Sequence, residues 1–120
     1  MNNVRIGVVG PCAAGKSTLV TQLRSKGYTA IHIAQDHSYV KDMWKRITDP
    51  DVLVYLDVTY EQTIKRKNIS WTEKEYDIQI NRLEHACKFA DLHIQTDKLS
   101  ADEVLIIVLN FIERIRFSGL

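Results

Sequence analysis

Gly10, Gly15, Lys16 and Ser17 occur within the run Gly10-Pro11-Cys12-Ala13-Ala14-Gly15-Lys16-Ser17, and residues of these types at this spacing fit the cradling of a polyphosphate. Gly10 permits a sharp turn. Gly15 lets the main chain approach phosphate oxygens with no Cβ in the way. Lys16 would reach the terminal phosphates, and the Ser17 hydroxyl would ligate Mg2+, whose octahedral shell otherwise consists of waters and phosphate oxygens. Thr18 follows as a helix-start residue or a further phosphate contact. The whole stretch from 10 to 18 would thus form the loop, with Pro11, Cys12, Ala13 and Ala14 shaping its turn.

Such a loop needs a strand to deliver it and a helix to receive it, because the helix N-terminus adds unpaired N–H groups and a positive dipole end. Both flanks are present. Residues 4–9 are apolar, and residues 16–26 place Leu19, Val20 and Leu23 at helical spacing before Gly27, a left-handed stop. Residues 28–34 alternate and are β-branched, so they predict a second strand, parallel to the first and reached by a right-handed crossover. Residues 52–58 form an unbroken apolar run of strand length, as expected of a parallel strand buried on both faces.

Between these strands, residues 35–50 are polar, yet Tyr39, Val40, Met43, Trp44 and Ile47 recur at helical spacing and predict a short helix over the sheet. Thr59 with Gln62 reads as a capping box for a helix to about residue 67, and Ser70 with Glu73 as another. The second opens a longer helix with Tyr76, Ile80, Leu83, Cys87 and Ala90 on one stripe. Residues 91–96 predict a short strand. Ser100 with Glu103 caps a last helix that turns Val104, Val108, Phe111 and Ile115 inward. Alternating strands and helices predict an α/β fold with a small parallel sheet of about four strands flanked by helices.

At 120 residues the chain builds one domain around one core, spanning 1–120. Its net charge of +1 gives no electrostatic footprint for nucleic acid or a membrane surface. Residues 1–9 lack a basic-then-apolar leader, which predicts a cytoplasmic protein. Cys12 and Cys87 are too few and too far apart in sequence to predict a disulfide framework or a zinc site. Cys12 is read either as an activated thiol near a helix N-terminus or as a small filler.

Three landmarks together, GPCAAGKST, PDVLVYLDVTYEQTIKRK and QTDKLSADEV, resemble the P-loop kinases of nucleotides and small metabolites, and the likeness spans nearly the whole chain. The resemblance implies a three-layer sandwich that binds ATP with Mg2+, with the middle landmark leading into a helix and basic lid and the last bordering the base. The chain also departs from the pattern. Such kinases carry a further core strand and a helical substrate-binding insertion between the second strand and the one resembling VYLD, where here only about 17 residues intervene.

That gap leaves two candidates for the second acidic position of the site. Asp57 ends VLVYLD in the form of a magnesium-site strand. The resemblance, however, puts that strand on the far side of the P-loop strand. Asp36 arrives at the carboxyl end of the sheet if the second strand pairs directly with the first, and is therefore favoured as the metal-site and catalytic carboxylate. Lys65, Arg66 and Lys67 fall where the resemblance places lid arginines. Arg66 is the favoured phosphate-neutralising residue, since its planar fork suits phosphate, with Arg82 as a second possibility. The other reading of the three is a helix C-terminus complemented by cations. Residues 68–71 would form a shortened lid.

His37, Tyr39, Trp44 and Arg46 make residues 35–50 the place for acceptor recognition, unless the aromatics merely pack and Arg46 is a solvated charge. His32, His85 and His93 read as ordinary structural residues. Residues 96–99 would border adenine, mainly through main-chain contacts. With five glycines in the chain, none lies three after an Asp where a GTPase switch needs it, and no Asn-Lys-x-Asp occurs. The sequence thus predicts an ATP-binding phosphotransferase acting on a small metabolite or nucleotide, with a nucleotide-binding module or slow NTPase lacking an acceptor as the other reading.

Overall fold

The computed structural model describes residues 4–67 and 70–117. Four strands, β1 (Arg5–Val9), β2 (Thr29–His32), β3 (Val52–Asp57) and β4 (Leu92–Gln95), form one sheet in the order β2-β1-β3-β4. All three pairings are parallel. The helices are α1 (Lys16–Ser25), α2 (Tyr60–Lys67), α3 (Glu73–Arg82), α4 (Glu84–Phe89) and α5 (Ala101–Phe117). The architecture is the expected α/β one, and β2 fills the position beside β1.

Strand alternation sorts the core onto two faces. Ile6 and Val8 of β1 join Val52, Val54 and Leu56 of β3 beneath α1 and α5, against Leu19, Leu23, Val108 and Ile112. Val9, Leu53 and Tyr55 point to the opposite face, where Ile33, Trp44, Leu83 and Ala86 cover them. Both faces of β3 are therefore dry, which explains why its sequence is apolar without alternation.

The short helix expected within residues 35–50 on the spacing of Tyr39 to Ile47 forms only in its last part. The segment holds a 3-10 turn at Gln35–His37 and a π-helical turn at Trp44–Thr48. Of the proposed apolar stripe, Trp44 is buried, whereas Tyr39 is 87% and Ile47 74% exposed. Buried Gln35 dictates this path. Its amide donates to the Val40 and Arg82 carbonyls and its oxygen accepts from Trp44 N–H, giving the loop a polar centre that a continuous helix would break.

Two further boundaries differ from expectation. Thr72, rather than Ser70, opens α3, in a reciprocal box with Glu75. The long helix also breaks at Leu83, so its stripe is shared between α3 and α4. The box at Ser100 forms as expected, whereas at Thr59 only half of it does: the Thr59 hydroxyl accepts from Gln62 N–H, but the Thr59 N–H donates to Asp97 instead of to Gln62. No helix among the described residues is long and apolar enough to cross a membrane.

Candidate functional site

The loop from Gly10 to Gly15 leaves β1 through three residues of positive φ: Gly10 (154°), Ala13 (67°) and Gly15 (100°). A Cβ on Gly10 would lie 2.2 Å from the Leu56 carbonyl oxygen, so neighbouring β3 itself demands glycine there. Gly15, at the N-cap of α1, faces open space. Among the described residues no side chain caps α1, and its first turn holds no acid. The N–H groups of that turn are therefore left for an outside acceptor, and an anion is the natural one.

Lys16 folds back over this loop with 7% of its side chain exposed. Its ammonium donates to the carbonyls of Gly10 and Pro11 and lies 3.4 Å from Asp36 Oδ2. Burial pulls its pKa below the ordinary lysine value, against the upward pull of Asp36. Ser17 and Thr18 stand exposed beside it.

Asp36 arrives from the turn after β2, as the strand order requires. Its carboxylate is 3% exposed, with Oδ2 facing Lys16, His37 Nε2 at 3.4 Å and Cys12 Sγ at 3.9 Å. Oδ1 is buried with no hydrogen-bond partner among the described residues. A buried acceptor in that state is costly, and it marks capacity for a cation or hydroxyl. Asp57 lies elsewhere. It ends β3 on the other side of β1, its Oδ1 accepts from Val58 N–H, and burial raises its pKa.

Arg66 performs a different task from a free lid arginine. Its guanidinium donates to the Ala13 carbonyl at 3.0 Å and to both the hydroxyl and the carbonyl of Thr96, tying the glycine loop to the turn after β4. Arg82 braces Asp36 through its backbone carbonyl while lying 4.6 Å over the Tyr39 ring. Arg46 pairs with Asp42 on the surface, as a solvated charge does. Of the expected shortened lid, Asn68 and Ile69 lie outside the described residues. Trp71, by contrast, is held by Tyr60, whose hydroxyl donates to its carbonyl, and by its own indole N–H to Thr63.

Two cavities meet at Ala13, Gly15, Thr18 and Arg66. One, of about 230 Å³, is bordered by Thr96, Leu99, Leu19 and Val104. The other, of about 450 Å³, is bordered by Lys16, Ser17, Asp36, His32 and His37. Thr96 and Leu99 of the expected base-binding turn thus line the smaller one. Asp97 is turned away to accept from the backbone and hydroxyl of Thr59.

Two groups escaped the sequence reading. Gln79, buried on α3, accepts from Cys12 N–H and donates to Cys12 Sγ, fixing the loop's crest. Its only signal is a polar residue on an inward stripe, three after Tyr76 and four before Leu83. The second is the convergence of Cys12, Asp36 and His37, which no spacing in the sequence announces. His85 and His93 are structural: His85 accepts from the Trp44 indole, and His93 meets the Cys87 carbonyl. Neither a known family model nor any curated protein matches the chain, so the reading of the site rests on its own geometry.

Proposed function

We propose that the protein binds ATP with Mg2+ across the N-terminus of α1 and transfers the terminal phosphoryl group to a small metabolite or nucleotide. The observation that carries this reading is the meeting of Lys16 and Asp36 over a glycine loop, at the carboxyl ends of β1 and β2 where open parallel sheets bind ligands. The residues fit the groups required. The uncapped first turn of α1 and the open space at Gly15 suit a polyphosphate, while the Ser17 hydroxyl and the unpartnered Asp36 oxygen suit Mg2+.

In this reading the smaller cavity takes the base and the larger one the terminal phosphates and the acceptor. Lys16 exchanges the Gly10 and Pro11 carbonyls for phosphate oxygens. Ser17 and Asp36 would hold Mg2+, which when bound would supply charge that neutralises the phosphates, and Asp36 or a water beside it would receive the acceptor's proton. Arg66 fixes the loop while facing both cavities.

A second reading, a module that binds the nucleotide without an acceptor, is favoured by the compactness of residues 35–48, which hold two short turns and no inserted domain. Titration calorimetry with Mg·ATP on the wild type and Lys16→Ala tests the shared half, since equal affinities would overturn it. Incubation with γ-labelled ATP and a panel of nucleosides, nucleotides and sugars separates the two. A labelled acceptor supports phosphotransfer; binding with no labelled product supports the module.

A further inference from the structure

Cys12, Asp36 and His37 come from the crest of the phosphate loop and the turn after β2, and one donor atom from each lies within 4.8 Å of the others. We propose that these three residues bind a divalent transition ion of the zinc class, independently of any nucleotide. A thiolate, an imidazole and a carboxylate form the borderline-soft donor set that selects Zn2+ or Co2+ and that Mg2+ refuses.

The spacing is close to what such an ion needs. Metal–ligand bonds of about 2.0–2.3 Å at tetrahedral angles put neighbouring donors roughly 3.3–3.6 Å apart. Here His37 Nε2 is 3.4 Å and Cys12 Sγ 3.9 Å from Asp36 Oδ2. The donor set as a whole lies within 4.8 Å, and the exposed His37 ring can rotate to draw its nitrogen toward Cys12. Independently, Asp36 Oδ1 is buried with no partner among the described residues, in a carboxylate only 3% exposed. All three residues line the 450 Å³ cavity, which leaves a fourth position open to water.

Lys16 opposes the ion. Its ammonium occupies the same carboxylate at 3.4 Å, so cation and lysine compete for Asp36. Removing the lysine charge should therefore tighten the metal while abolishing nucleotide binding, which makes failure of one reading distinguishable from failure of the other.

Co2+ titrated into nucleotide-free Cys87→Ser protein is the test, because a bound thiolate gives a charge-transfer absorption that aquo-cobalt lacks. The expected result is a saturable band that disappears in Cys12→Ser and resists a large excess of Mg2+. Affinity falls at least about tenfold in His37→Ala, an exposed substitution that leaves the fold intact by circular dichroism, and rises in Lys16→Met. Absence of the band in the parent protein overturns the site. So does a band unchanged in folded Cys12→Ser or unchanged in His37→Ala.

Discussion

Lys16 Nζ and Asp36 Oδ2 lie 3.4 Å apart, one from the first turn of α1 and the other from the turn after β2, with 7% and 3% of their side chains exposed. Removing either partner leaves the other charge buried, at a cost of about 3–5 kcal/mol where it is not relieved. Lys16 has two carbonyl acceptors in reserve, whereas Asp36 is left with a distant thiol and an exposed imidazole. Lys16→Met is therefore expected to destabilise more than Asp36→Asn. The double variant should recover about 1–3 kcal/mol relative to the sum. Urea unfolding of the four proteins measures the coupling, and strict additivity would show that the pair does not interact.

The two loop glycines should respond oppositely in stability and in binding. Gly10→Ala forces a Cβ to 2.2 Å from the Leu56 carbonyl oxygen at a strained φ, so stability falls by about 2–4 kcal/mol. Gly15→Ala meets no atom within 4 Å and carries only the strain of a positive φ, about 1–2 kcal/mol. Its methyl group nonetheless stands at the opening of the first turn of α1. Thermal melts should show the larger loss for Gly10→Ala. Calorimetry with Mg·ATP should show affinity lost in Gly15→Ala despite a folded protein.

The sheet and the loop were legible because their signals are local. An apolar run such as residues 52–57 has one interpretation when both faces are buried, and the glycines announce the turns. The helix boundaries were less so. Ser70 and Thr72 both precede a glutamate by three residues, and only packing decides between them. The loop after Ala34 was illegible for a different reason. Its path is set by Gln35 reaching Val40, Trp44 and Arg82, and such long-range bonds leave no periodic trace. Asp36 was placed through strand order, whereas Gln79 meets Cys12 only because α3 crosses the loop's crest.

Arg66 spans the two cavities through Ala13 and Thr96, and its loss removes the donor to the Ala13 carbonyl and both contacts to Thr96, whose carbonyl keeps the Leu99 N–H. Arg66→Ala is expected to cost about 1–2 kcal/mol in stability. Arg66→Lys keeps the charge but cannot fork between the two segments, so it should restore little of the loss. If Arg66 serves phosphate charge alone, lysine would instead rescue Mg·ATP affinity, and calorimetry on both variants separates the two roles.

Asp57 offers the control for Asp36. Burial raises its carboxyl pKa above the usual value near 3.8, so the native state holds its proton more tightly than the unfolded chain. The sign follows directly: stability is fully present below about pH 3.8 and is lost as pH rises through the higher folded value. Asn at this position removes that loss, and its amide oxygen can still accept from Val58 N–H as Oδ1 does. Asp57→Asn should therefore match the wild type at pH 3 and melt at a higher temperature at pH 7. Its Mg·ATP affinity should be unchanged, because β3 carries Asp57 on the opposite side of β1 from Asp36. Asp36→Asn should lose that affinity. Loss in Asp57→Asn with retention in Asp36→Asn would move the proposed magnesium site to β3.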